Sequence, residues 1–358
     1  MHSPEAIKRA LKGKATFQEM TQLFTNSWDD LEQQGIAALL AEPFLSQIPQ
    51  QLKSHYHHLL INDLIQTREL FRILKDLAEK GVNYILFKGS WLGHRYYSSS
   101  YLRPRVDTDI LITRENLTLV KETLLEHGYL IQPPASRERF PQIISYKPLV
   151  NGRESVIDVH WHWTNRRILP YALTFADFYR HSEVFPKNNV TLRGTGPAHS
   201  IFITVMHRYL HHPEDTHLIW YKDIHLIVSA MSDHHWRLLA NLSRKQGVWE
   251  IVLADIKQSQ TLFGALPHLQ KSIHSTSHCF PPPKKGEQGN QAIWADFLGS
   301  KGIKNKGYFL LETLFPPMTF MKWRYKISNR YTFYGLLPFL YLWRILMGTF
   351  CQGGKKPG

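Results

Sequence analysis

The sequence predicts an α+β protein: a small mixed β-sheet flanked by N-terminal helices and a mainly helical C-terminal half. Three observations predict it. Apolar residues recur at three- and four-residue steps within 1–80 and again beyond about 170. Three short runs of strand character, Val82–Phe87, Val106–Thr113 and Ser155–Trp163, lie between those stretches. Gly81, Gly128 and Asn151-Gly152 punctuate them where a helix or a hairpin ends. The expected organisation is a helical region over 1–80 packed on a core at 81–165. A helical region over 166–358 follows, with a basic loop at 281–307.

The first helical region is clearest through Leu59, Leu60, Leu64, Leu70, Ile73, Leu74 and Leu77. Lys88-Gly89-Ser90 follows the first strand, and a helix is expected from Trp91 to Tyr97. The second strand is polar and then strongly apolar, Asp107-Thr108-Asp109-Ile110-Leu111-Ile112. Asn116–His127 reads as an amphipathic helix, and 130–150 is broken by prolines. In the third strand, alternation puts Val156, Asp158, His160 and His162 on one face. Beyond it, helices are expected at 197–212, 216–232, 234–246 and 248–264.

The chain has 358 residues, with 43 Lys+Arg against 29 Asp+Glu and a formal charge of +14. Hydrophobic residues make up 43%, a globular composition that excludes disordered and collagen-like classes. Residues 281–358 hold twelve Lys/Arg and three acids, so the surplus concentrates at the end of the chain. Such a surface favours anionic partners. Two cysteines, Cys279 and Cys351, make neither a disulfide framework nor a four-thiolate zinc site. With no secretory signal read at the start, a reducing cytoplasm is the expected compartment.

Three pieces carry chemistry. Gly89 and Ser90 stand between a strand and a helix, where free backbone N–H groups attract phosphate. Asp107 and Asp109 share one face of a strand, with Cα atoms roughly 6.5–7 Å apart. Such a pair repels unless a cation sits between, and Mg²⁺ takes oxygen ligands completed by substrate phosphates. Asp158 is an acid inside a β-branched strand, costly unless paired or ligated. A neighbouring strand brings it beside the pair. Three carboxylates then hold two cations across a nucleoside triphosphate (NTP).

Leu86-Phe87-Lys88-Gly89, the Arg103-Pro104-x-x-Asp107-x-Asp109-Ile-Leu run, Gly128-Tyr129 and Ile157-Asp158-Val159-His160-Trp161 go further. In this order they resemble a family of uncharacterised bacterial nucleotidyltransferases within the minimal nucleotidyltransferase superfamily, whose fold looks like the DNA polymerase beta palm. His207–Ile227, with Trp220 and Lys222-Asp223-Ile224, and Leu314-Phe315-Pro316 extend the likeness over about 60–343. The resemblance implies that Gly89 and Ser90 hold the triphosphate. It implies that Asp107 and Asp109 bind Mg²⁺, two ions in all, and that Asp158 completes the metal site. Lys88 and Arg103, with Arg105 as substitute for Arg103, either neutralise charge in the transition state or make ordinary surface or structural pairs.

The expected activity is transfer of a nucleoside monophosphate from an NTP to an acceptor, with release of pyrophosphate. The acceptor is a sugar, a small molecule, a peptide, a protein or RNA. The rival reading keeps the fold without catalysis: a nucleotide-binding accessory protein of a polysaccharide or modified-peptide pathway. No DNA-binding motif is present. His160 either orients a carboxylate, contacts the acceptor or acts as a base. Asp223 either helps place the acceptor or forms a buried salt bridge. His207, His211 and His212 read as helix-surface histidines rather than a zinc site. The aromatic segment 331–350, behind Lys322, Arg324, Lys326 and Arg330, reads as core, as a partner interface, or as a peripheral contact with an anionic membrane over 322–350.

Overall fold

The computed structural model describes residues 4–46, 50–132, 142–149, 152–164, 166, 169, 173–212, 217–266, 290–300, 302–327 and 330–350. Four helices lead: α1 (Pro4–Leu11), α2 (Phe17–Gln33), α3 (Ala37–Ala41) and α4 (Gln50–Glu79). A mixed segment follows, with β1 (Tyr84–Phe87), α5 (Lys88–Tyr96), β2 (Thr108–Ile112), α6 (Leu117–Glu126), β3 (Leu130–Ile131), β4 (Gln142–Pro148) and β5 (Glu154–His160). Then come α7 (Phe175–Arg180), β6 (Glu183–Lys187) and β7 (Val190–Gly194). Eight helices follow among the described residues: α8 (Pro197–His211), α9 (Leu218–Ser229), α10 (Asp233–Lys245), α11 (Trp249–Phe263), α12 (Asn290–Gly299), α13 (Ile303–Leu314), α14 (Met318–Tyr325) and α15 (Arg330–Phe350).

The architecture is the expected α+β one, with a wider sheet. Among the described residues it has seven strands in the order β3-β4-β5-β2-β1-β7-β6. β1 runs antiparallel to β2, and β2 runs parallel to β5, with Asp109 opposite Asp158. β7 joins β1 in parallel and forms a hairpin with β6. This hairpin lies where only helix was expected beyond 170. Its turn is Asn188-Asn189, both at positive φ (47° and 62°), the geometry of a tight two-residue hairpin turn. Gly194 ends β7 against Trp91, where an added Cβ would lie 2.0 Å from the indole. The indole Nε1–H donates to the Thr195 carbonyl (2.8 Å), which fixes the first turn of α5 over the sheet.

The main core gathers the sheet, the second half of α4 through Leu70, Ile73, Leu74 and Leu77, and residues of α8–α11. Gly81, at φ +72°, ends α4 as expected. β1 and β2 are buried along their whole length, which explains the apolar runs Tyr84–Phe87 and Ile110–Ile112. A second core joins Met20, Phe24, Trp28 and Leu31 of α2 to Tyr97, Leu102 and Ile219. The leading helices therefore seat on α9 and on the chain just before β2, the segment that delivers Asp107.

Two sequence expectations are corrected. The first turn of α5 begins at Lys88, so Lys88-Gly89-Ser90 is helical rather than a loop ahead of Trp91. Within the expected basic loop 281–307, residues 290–299 and 303–307 are helical, because Ile293, Trp294, Phe297 and Leu298 supply a helical apolar spacing. Residues 281–289, Cys279, Cys351 and Asn151 lie outside the described residues. Among the described residues no helix is long and apolar enough to cross a membrane.

His94 of α5 gives the fold a pH dependence. It is 1% exposed and neither ring nitrogen has a hydrogen-bond partner among the described residues. Burial, reinforced by Arg105 and Lys187, pushes it down to about 3 from 6.5. A lowered folded value means that the unfolded chain binds the extra proton, so stability rises with pH across that window and is lost on acidification. His94→Leu is expected to remove about 2 kcal/mol of the stability lost between roughly pH 7 and pH 5. Urea unfolding at both pH values checks it; an unchanged pH dependence would mean that His94 is already paired or hydrated.

Candidate active site

The site is built by register. Parallel pairing of β2 with β5 sets Asp109 beside Asp158 across one strand spacing, about 4.8 Å. Alternation then brings His160 to the same face. The ligand atoms of Asp109, Asp158 and His160 lie within 4.8 Å of one another, and all three residues are buried. His160 Nε2 bridges the two acids, at 2.9 Å from Asp109 Oδ1 and 3.3 Å from Asp158 Oδ2. Asp109 Oδ1 also accepts from Lys88 Nζ at 2.7 Å. Asp107 sits one residue ahead of β2 with its side chain open to the solvent of a cleft.

Charge balance follows from these contacts. Burial alone would raise the Asp109 carboxyl; Lys88, then His160, outweigh it and hold it well below the usual carboxylate range. Burial pulls His160 down, but Asp158 and Asp109 hold it above its ordinary value. Lys88 likewise stays above its ordinary value through Asp109, Asp107 and Asp158 against burial. Asp107 goes the other way. Its surface touches solvent, yet protein crowds it, and desolvation with Asp109 nearby pushes it up to about 6.

The acidic centre can hold a cation. Asp158 Oδ1 is buried and has no hydrogen-bond partner among the described residues. A buried carboxylate oxygen left bare is costly, and a hard divalent ion is the partner that suits oxygen ligands. Lys88 supplies positive charge of its own to the same acids. It holds φ at +55°, a conformation that costs a non-glycine residue about 1–3 kcal/mol, while its ammonium meets Asp109.

Two cavities meet here. The larger, about 690 Å³, is lined by Lys88, Gly89, Arg103, Arg105, Asp107, Asp109 and Trp220, among others. The smaller, about 240 Å³, is lined by Asp107, Asp158, His160, Trp163, Ile203, Met206 and His211. Lys88, Asp107, His207 and His212 belong to both.

The other sequence candidates fall as follows. Arg103 is buried and gives Asp223 a two-pronged contact, with Nε at 3.1 Å and Nη2 at 2.8 Å from Oδ2. Tyr97 donates to Asp223 Oδ1 at 2.8 Å. Asp223 is thus in a buried salt bridge, one of its two expected roles. Arg105, the substitute, pairs with Asp63 and Thr67. Gly89 admits this packing: an added Cβ would lie 2.9 Å from Arg103 Nη1. Ser90 is buried, its hydroxyl has no partner among the described residues, and it lines neither cavity. His207, His211 and His212 turn toward the cavities rather than the outer surface, which corrects the helix-surface reading. Burial, then Lys88, drives His207 well below its ordinary value. The i, i+4 spacing of His207 and His211 marked the shared face in the sequence, but not that this face meets the cavities.

The family model described as uncharacterised nucleotidyltransferase matches residues 19–264. The match begins earlier than the likeness read from motifs and ends before α12, so Leu314-Phe315-Pro316 lies outside it. No curated protein matches the chain. Among solved structures, the chain is similar to an antigenic nucleotidyltransferase-like protein from Paracoccidioides brasiliensis, at 13% identity and a TM-score of 0.37, covering 60% of this chain and 98% of that one. The family match spans well over half of the sequence and contains every residue of the acidic centre: the chain belongs to the uncharacterised nucleotidyltransferase family.

Proposed function

We propose that the protein transfers a nucleoside monophosphate from an NTP to an acceptor hydroxyl and releases pyrophosphate. The observation that carries this is the in-register pairing of Asp109 with Asp158, at the point where the two cavities meet. In-line displacement needs the attacking oxygen and the leaving group on opposite sides of the α-phosphorus. The larger cavity, with Lys88 and the free N–H groups at the start of α5, suits the triphosphate, while Arg103 and Arg105 stand in its wall paired to Asp223 and Asp63. The smaller cavity, walled by Trp163, Ile203 and Met206, suits the acceptor and presents Asp158 to its hydroxyl.

Asp107, Asp109 and Asp158 would hold Mg²⁺, which when bound would offset the carboxylate and phosphate charge and favour ionisation of the acceptor hydroxyl. Lys88 offsets charge on the phosphates from its seat on Asp109. His160 braces the two acids through a single nitrogen, a contact that places it to orient these carboxylates. The acceptor proton goes to Asp158 or to solvent, the new O–P bond forms, and the bond to pyrophosphate breaks.

The test supplies each NTP, labelled at the α-phosphate, with Mg²⁺ and a cell extract as acceptor source. Label in a new product together with released pyrophosphate is expected. Transfer of a γ-label instead would make the protein a kinase, and triphosphate binding without turnover would favour the accessory role.

A further inference from the structure

Helices α12–α15 carry a surface that the rest of the molecule does not explain. Among the described residues neither hydrophobic core draws on them, and they lie beyond the family match. Among the described residues, fourteen of the twenty-one large hydrophobic side chains that stand exposed fall between Trp294 and Trp343. Ile303 is 90% and Phe339 68% exposed. On α15, Leu336, Phe339 and Trp343 recur at i, i+3 and i+7, one stripe of a helix, and all three face water. Other positions of α15 are already used: Phe333 is buried, and Tyr341, on the far side from the stripe, donates to the Pro316 carbonyl at 2.8 Å. The outward stripe is therefore surplus to folding.

The charge of the segment is one-sided. Residues 290–350 contain eight Lys/Arg and two acids, Asp296 and Glu312. Asp296 is taken up by Arg166 at 3.1 Å. Lys304, Arg324 and Lys326 are exposed beside the apolar side chains.

We propose that this surface docks on an anionic phospholipid bilayer, without spanning it. Exposed aliphatic and aromatic side chains enter the boundary between headgroups and acyl chains, while flanking cations meet the anionic headgroups. A second copy of the chain would bring the same positive surplus and meet like charge. A nucleic acid would satisfy the cations and leave Leu336 and Ile303 in water. An anionic lipid surface answers both demands.

The full-length protein is sedimented with vesicles of phosphatidylcholine alone, and of phosphatidylcholine mixed with phosphatidylglycerol. Binding to the mixed vesicles only, reversed by high salt, is expected. The Lys304→Ala/Arg324→Ala/Lys326→Ala variant is expected to bind them on the order of 100-fold more weakly. Phe339→Ser/Trp343→Ser is expected to lose binding as well, with thermal unfolding unchanged for both variants. No binding to mixed vesicles, equal binding to neutral ones, or a dimer in sedimentation equilibrium that Phe339→Ser/Trp343→Ser dissociates would overturn the proposal. The salt reversal is read on the unmodified chain, so it does not depend on how a variant folds.

Discussion

Asp109→Asn is expected to reduce nucleotidyl transfer by roughly 10³-fold or more, about 4 kcal/mol of transition-state stabilisation, with the fold retained. The amide keeps the shape of the side chain but removes the charge on which Lys88 and His160 converge. It also turns an acceptor-only group into one that presents N–H to two cations. The initial rate of α-label transfer measures the loss. Asp107→Asn separates chemistry from stability. Its carboxyl is pushed up to about 6, so its charge is disfavoured without a cation. That variant is expected to lose transfer while melting no earlier than the parent in chelator. An Asp109→Asn protein that keeps a tenth of the rate would remove Asp109 from the reaction.

Asp223→Ala is expected to destabilise the protein by about 3–5 kcal/mol, because it strands a buried guanidinium. Asp223 lies 120 residues from Arg103 in the chain and is 1% exposed. Both of its oxygens are used, by Arg103 and Tyr97. Through this contact α9 clamps the segment that carries Asp107 into the cleft. The paired replacement Arg103→Met/Asp223→Leu buries no charge and is expected to be less destabilised than Asp223→Ala alone. Urea unfolding of the three proteins decides it. A loss below about 1 kcal/mol for Asp223→Ala would show that water reaches Arg103.

Local chemistry made much of this legible in the sequence. Strands β1, β2 and β5 and helices α8–α11 were readable because alternation and helical spacing are properties of short windows. The meeting of Asp109 with Asp158 needed one further step, the assumption that their strands are neighbours. The β6–β7 hairpin was missed: Pro186 and an exposed outer strand blur its alternation, although Asn188-Asn189 is a turn signal. Arg103 illustrates the other limit. A cation beside an acidic motif suggests a phosphate contact, but a buried acid far along the chain claims it first, and no local pattern records that pairing. His207 was read as a helix-surface histidine for the same reason, since spacing reports a shared helix face and not what that face meets.

The central claim is that the carboxylates on β2 and β5 bind a triphosphate through a divalent cation. Calorimetric titration with α,β-methylene analogues of the four NTPs, in Mg²⁺ and then in chelator, tests it without an acceptor. The account predicts saturable binding of at least one analogue in Mg²⁺, lost in chelator and in Asp109→Asn. Binding that is equal in chelator and undiminished by Asp109→Asn, or no binding by any analogue, would contradict it.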